Sequence, residues 1–132
     1  EAVVITNPTL LKNFFPLIKQ HGALLAKGRL LGVQFEALFE DNLYEEIGLQ
    51  VVNKAIRIRE IFKSKGYKIT ADSPTNQQFI CLPNHIIDKL MPNVSFELWG
   101  PRGKEETTVR FVTGWTTTEQ EIDTLAEILD KL

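Results

Sequence analysis

Of all the side chains in this sequence, Arg110 has the clearest chemical use. It stands in the run Thr107-Thr108-Val109-Arg110-Phe111-Val112-Thr113-Gly114-Trp115, where β-branched and aromatic residues dominate and apolar positions alternate. That pattern predicts a strand with Val109, Phe111 and Thr113 on one face and Thr108, Arg110 and Val112 on the other. A guanidinium in the middle of a stiff strand is costly to bury unless it meets an anion. Its planar fork suits a carboxylate, and a strand fixes its aim. The anion is either the carboxylate of a small acid or an internal Glu or Asp, and the strand pattern leaves both open.

The remaining candidates for chemistry are weaker. His21 and His85 lie far apart and lack Cys or carboxylate partners at metal-ligand spacing, so both read as ordinary polar histidines and no metal site is expected. Cys81, between Ile80 and Leu82, reads as a buried structural thiol rather than a nucleophile. Lys54, Arg57, Arg59, Lys63 and Lys65 form the basic end of a long helix, a solvated face in preference to a phosphate-binding patch. Asn76 precedes a strand, where turn chemistry accounts for it; orienting a nearby loop is the alternative. There is neither a phosphate-binding P-loop nor a dinucleotide-binding glycine fingerprint.

The elements that must hold these residues follow from periodicity. Ala2 to Thr6 predicts a short strand, apolar throughout as in a parallel sheet covered on both faces. No other segment looks like its partner, and the chain opens on Glu1 without an initiator Met, so a processed or truncated product is expected. Asn7 and Pro8 begin a helix as cap and first residue, and Pro16 should end or kink it. From His21 to about Glu40 a helix apolar over much of its circumference is predicted, to be buried between layers or against a partner. Asn42 with Glu45 caps the next helix, which runs from Leu43 to about Lys65 with an apolar stripe of Leu43, Ile47, Val51, Ala55, Ile58 and Phe62 and stops at Gly66. Strands at 67–70 and 78–82, a helix at 83–91, strands at 94–99 and 107–115, and a helix at 118–132 opened by the Thr118–Glu121 capping box complete the chain. The order β-β-α-β-β-α after the long helices predicts an α+β fold, with an antiparallel sheet covered by helices on one face.

Composition bounds the setting. The 132 residues suit one domain, and 43% hydrophobic with 24% charged residues is ordinary for a globular protein. A net charge of -2 supplies no basic field, which argues against nucleic acid as a partner. A lone cysteine suits a reducing compartment. The apolar runs are too short to cross a bilayer and the N-terminus lacks a signal layout, so a cytoplasmic protein with no membrane partner is expected.

Three motifs also carry a family likeness: His21-Gly22-Ala23-Leu24-Leu25-Ala26-Lys27-Gly28-Arg29-Leu30-Leu31-Gly32, Ser73-Pro74-Thr75-Asn76-Gln77, and Val109-Arg110-Phe111-Val112-Thr113. In this order they resemble the C-terminal part of a low-specificity L-threonine aldolase, in the β-eliminating-lyase branch of the fold type I pyridoxal-phosphate enzymes, over residues 1 to 132. The resemblance implies that residues 1–40 are the end of a large domain with linker helices and 41–132 a C-terminal small domain. It implies that Arg110 binds the substrate α-carboxylate, and that Lys27 with Arg29 approaches the cofactor phosphate across a subunit interface; for Lys27 and for Lys19 a simple solvated helix charge is the alternative. It further implies a homo-oligomeric parent, a dimer or tetramer. One departure is Trp115, where many relatives carry a His-containing turn.

The resemblance places the Schiff-base lysine just before the strand that residues 2–5 resemble, upstream of Glu1. No catalytic residue is therefore expected in this segment, and the segment alone should be inactive. Ala26-Lys27-Gly28 only superficially resembles a Schiff-base motif, because it sits inside an apolar helical run. The implied function of the parent is cleavage of β-hydroxy-α-amino acids such as threonine or allo-threonine to glycine and an aldehyde. The alternative is a stand-alone α+β module for protein interaction or small-ligand binding.

Overall fold

The computed structural model describes residues 3–132 and divides the chain into two compact units, one ending at Leu43 and one spanning Tyr44–Leu132. Among the described residues, the first unit holds 3-10 turns at Pro8–Leu11 and Glu40–Asn42 and two α-helices, α1 (Phe14–Gln20) and α2 (Arg29–Phe39). Asn7 caps the 3-10 turn as its sequence foretells, accepting from the backbone N–H of Thr9 at 3.0 Å. Two expectations fail here. Residues 3–6 form no strand, since no described strand pairs with them, and Ala2 lies outside the described residues. The helix expected from His21 begins only at Arg29, because Gly22 turns the chain at a φ of 66°. Pro16 does not end α1 either; it occupies the first turn, where its missing N–H has no helical acceptor to lose. No described side chain of this unit is buried, and Leu10, Leu30 and Phe39 are exposed apolar residues.

The second unit is built on α3 (Leu43–Ser64), β1 (Lys68–Ala71), β2 (Gln77–Pro83), α4 (Asn84–Leu90), β3 (Glu97–Leu98), β4 (Glu106–Val112) and α5 (Glu119–Asp130). The four strands make one antiparallel sheet in the order β1-β2-β4-β3, so the arginine strand is central. The expected α+β architecture is thus present. Alternation along β2 and β4 sends Ile80, Leu82, Val109 and Phe111 to one face, where Ile58 and Phe62 of α3, Ile86, Ile87 and Leu90 of α4, and Ile122, Leu125 and Leu129 of α5 cover them. Of the stripe expected on α3, only Ala55, Ile58 and Phe62 are buried. The third strand shrinks to two residues, leaving Phe96 to pack its ring 5.2 Å from Phe111.

Helix ends follow their local chemistry. Gly66 terminates α3 at a φ of 83°, and the Tyr67 and Gly66 N–H groups donate to the carbonyls of Phe62 and Lys63 at 3.1 and 3.0 Å. That is the two-bond Schellman closure, completed by the Tyr67 ring 5.8 Å from that of Phe62. The start of α3 differs from expectation: Asn42 has a φ of 60°, in the left-handed region, not the extended backbone that a capping box requires. At α5 the box forms in full, with the Glu121 N–H donating to the Thr118 hydroxyl at 3.2 Å and the Thr118 N–H to the Glu121 carboxylate at 2.7 Å.

These bonds hold the Glu121 carboxyl below the usual carboxylate range, the backbone N–H of Thr118 contributing most and its hydroxyl next. A depressed acid stabilises the fold above its unfolded pKa and loses that contribution as pH falls through the lowered folded value. Thr118→Ala is therefore expected to cost about 1 kcal/mol near neutrality, and the gap between its urea midpoint and the parental one should narrow in acid.

A second latch fixes the loop before β4. Asn84 donates through Nδ2 to the carbonyls of Gly103 and Lys104 at 3.0 and 3.1 Å and accepts from the Thr107 hydroxyl at 2.7 Å. Gly103 packs so closely that a Cβ there would stand 2.0 Å from the backbone carbonyl oxygen of Glu106. Gly103→Ala is expected to destabilise by about 1–3 kcal/mol, as overpacking against rigid backbone does, with thermal unfolding as the check.

Candidate functional site

The face of the sheet away from the helices carries Arg110. In register, Arg110 of β4 lies between Phe79 of β2 and Glu97 of β3, so both neighbouring strands fix its backbone. Period-two alternation brings Gln77, Cys81, Thr108 and Val112 to the same face. The guanidinium donates through Nη1 to Oε1 of Gln77 at 3.0 Å and through Nη2 to the Glu97 carboxylate, an ion pair. Its central carbon lies 4.7 Å from the centroid of the Trp99 ring, which meets the Phe79 ring edge-on at 5.1 Å. The side chain is 23% exposed, against 63% for Glu97. The buried Nε–H has no hydrogen-bond partner among the described residues.

The result is an aromatic shelf under a guanidinium held from two sides. Nε and Nη2 share one edge of the fork, the edge that accepts a carboxylate in bidentate fashion, and Glu97 bonds only one of the two. Of the two anions that the strand pattern left open, the internal one is therefore present, at an exposed and incomplete pairing. Gln77, Glu97 and Trp99 were not foreseen as site residues. The signal available was the Glu97-Leu98-Trp99 alternation beside an arginine strand, which places the acid and the indole on one face.

The Ser73–Gln77 motif explains how Gln77 reaches Arg110. The Thr75 hydroxyl accepts from the Gln77 N–H at 3.2 Å, and the side chain of buried Gln78 donates to the carbonyls of Ser73 and Thr75 at 3.2 and 2.9 Å. Asn76 exchanges bonds with Thr113, its Nδ2 donating to the Thr113 carbonyl at 2.8 Å and its own carbonyl accepting from the Thr113 N–H at 3.1 Å. The Thr113 hydroxyl then reaches the Val51 carbonyl of α3 at 2.8 Å. Asn76 thus clamps the turn to the end of the arginine strand, while the turn's own bonds come from Ser73, Thr75 and Gln78.

Other candidates separate from this cluster. Lys27 and Arg29 belong to the first unit, in the turn before α2 and at its first residue; both are exposed, and neither side chain forms a hydrogen bond or ion pair among the described residues. Lys19 sits 5.0 Å from the centroid of the Phe15 ring. Trp115 is 79% exposed. Cys81 corrects its expectation. It is not in the core, because Ile80 and Leu82 take the inward positions and turn it to the arginine face, where its thiol contacts Glu106 at 3.1 Å. Partial burial, then the Glu106 carboxylate, raises its pKa, so it is no activated nucleophile. The basic end of α3 is not merely solvated either. Arg57 bridges to Glu119 and Asp123 of α5, which raise its pKa, Arg59 pairs with Asp72 at 2.8 Å, and Lys65 pairs with Asp130. Among the described residues, no group of three His, Cys, Asp or Glu could hold a metal ion, and no helix is long and apolar enough to cross a membrane.

Comparison with known proteins bears on this geometry. No family model and no curated protein sequence matches the chain. Among solved structures, a threonine aldolase of Leishmania major superposes with a TM-score of 0.89 at 35% identity, over 96% of this chain. An 8-amino-7-oxononanoate synthase of Francisella tularensis superposes with a TM-score of 0.62 at 16% identity, again over 96% of this chain, a likeness of fold alone. The chain spans 37% of the length of the aldolase and 39% of that of the synthase. Over nearly its whole length, in sequence and in fold, this chain resembles part of a threonine aldolase.

Proposed function

We propose that this chain is the C-terminal part of a pyridoxal-phosphate-dependent aldolase that cleaves β-hydroxy-α-amino acids of the threonine or allo-threonine type to glycine and an aldehyde. Residues 1–40 are then the end of a large domain with linker helices, 41–132 the small domain, and the working enzyme a homo-oligomer. The observation that carries the reading is Arg110. It is a guanidinium on a central strand, braced by Gln77 and Trp99, with a donor on its carboxylate-accepting edge left unpaired. The 35% identity to a threonine aldolase supports the substrate class.

In this reading the residues divide their work simply. Arg110 binds the α-carboxylate and so fixes rotation about the Cα bonds, which sets whether the Cα–Cβ bond lies along the direction in which it breaks. Trp99 and Phe79 wall the guanidinium on the sheet face and lower the local polarity, strengthening its attraction for an anion. Lys27 and Arg29, two exposed cations without acid partners among the described residues, fit a phosphate group in charge. Bound pyridoxal phosphate supplies an electron sink for the carbanion left at Cα. No residue of this chain is assigned the covalent step, whose lysine is expected in the large domain.

The test is aldol cleavage of L-threonine and L-allo-threonine with pyridoxal phosphate, read as glycine and acetaldehyde. The polypeptide carrying the large domain should cleave, and the 132 residues alone should not. A polypeptide that forms a borohydride-reducible cofactor adduct yet releases no glycine from either substrate would overturn the reading, as would a stand-alone 132-residue protein with its own start codon near Glu1.

A further inference from the structure

We infer that Glu97 is a built-in competitor for the carboxylate site, an internal acid that holds Arg110 in its ligand-free pose and must leave before a ligand carboxylate can close on the fork. The inference rests on the reading of Arg110 as a carboxylate receptor and adds what governs entry to it. Three observations carry it. Glu97 lies directly opposite Arg110 across the β3–β4 pairing and its carboxylate is on Nη2, half of the edge that a bidentate carboxylate would take. The other half, Nε, is buried without a partner, so the internal pairing leaves the edge incomplete. Glu97 is 63% exposed and sits on a two-residue edge strand, so its side chain can swing into water without disturbing the core.

The remaining contacts of Arg110 point the same way. Gln77 is neutral and bonds Nη1, at the far end of the fork, so it steadies the guanidinium without competing for the Nε–Nη2 edge. Trp99 supports the flat face of the group and leaves its rim to hydrogen bonds. Among the described residues, Glu97 alone contributes a negative charge to the guanidinium through a direct bond. An exchange of one carboxylate for another keeps the charge on Arg110 satisfied throughout, while the second hydrogen bond goes only to the incoming ligand. That gives selectivity for planar carboxylates over monodentate anions such as chloride.

The experiment follows the Arg110 Nε–H resonance of the 132-residue chain by NMR during titration with sodium acetate, at ionic strength held constant with sodium chloride. Because exposed ion pairs are weak, Glu97→Gln is expected to tighten acetate binding by only about two- to five-fold, and Glu97→Ala should act in the same direction. Arg110→Gln identifies the resonance and removes the response. Equal acetate affinity in parent and Glu97→Gln would overturn the competitor role and leave Arg110 as a carboxylate receptor. Weaker binding in both Glu97 variants would overturn it in favour of a supporting role. No acetate response at Arg110 in any variant would overturn the receptor reading, and the competitor with it.

Discussion

Arg110→Ala in the cofactor-loaded polypeptide that carries this chain is expected to lower kcat/KM for L-threonine by about a hundred- to ten-thousand-fold. The size follows from the two charge-assisted hydrogen bonds lost, each contributing about 1.5–3 kcal/mol in a partly desolvated site, with about 1.4 kcal/mol corresponding to tenfold. The fall should appear in both parameters. KM rises because the carboxylate is no longer held, and kcat falls because the labile bond is no longer aimed. Arg110→Lys should recover only part of the loss, since an ammonium keeps the charge but not the planar two-point grip. The fold should survive these changes, because Arg110 faces away from the buried cluster. Steady-state kinetics together with an unchanged circular dichroism spectrum would check both halves of the expectation.

The second large effect is structural. Phe62 is fully buried, closes the C-terminal end of α3 against Tyr67, and packs its ring at a tilt, 5.0 Å from that of Phe111, the core-facing neighbour of Arg110 in sequence. Phe62→Ala is expected to cost about 3–5 kcal/mol, the usual range for deleting a buried aromatic ring, and to lower the melting temperature by at least about 10 °C. It removes the contact that completes the helix-ending motif and loosens the underside of the arginine strand at once. Urea unfolding with an unchanged slope would show that stability alone had moved. A variant within 1 kcal/mol of the parent would mean that the aromatic run Tyr67–Phe62–Phe111–Phe96 is not the central support of the sheet.

The second unit was largely legible in the sequence because its signals are local and agree with one another. Alternation in 107–113 placed Val109, Phe111 and Thr113 inward and Arg110 outward, and the Thr118–Glu121 box and Gly66 stop stand where their chemistry requires them. The failures have separate causes. The strand expected over residues 2–6 had no visible pairing partner, and its described part, 3–6, is unpaired among the described strands, while the helix expected from His21 is delayed by the left-handed turn at Gly22 and begins at Arg29. Cys81 was misjudged because its neighbours in sequence are apolar, whereas its neighbours in space are set by the two-residue period of β2. The arginine site was legible only in part. The guanidinium announces itself, but Gln77, Glu97 and Trp99 come from segments 33, 13 and 11 residues away, and only strand register brings them to one face. The motif resemblance in 73–77 pointed to one side of the site, and the hydrogen bonds of Asn76 and Thr113 show why a turn there matters.

The most direct measurement compares turnover of L-threonine with turnover of L-threonine amide by the cofactor-loaded polypeptide, in the parent and in Arg110→Gln. The amide keeps the amine, the hydroxyl and the bond to be broken, and lacks only the negative charge that Arg110 is assigned to hold. A carboxylate clamp requires the parent to favour the acid by about a hundred-fold or more, and Arg110→Gln to lose most of that preference by losing activity on the acid while keeping it on the amide. A parent that cleaves both equally, or an Arg110→Gln variant that keeps the full preference, would contradict the assignment of Arg110 and with it the functional reading of this chain.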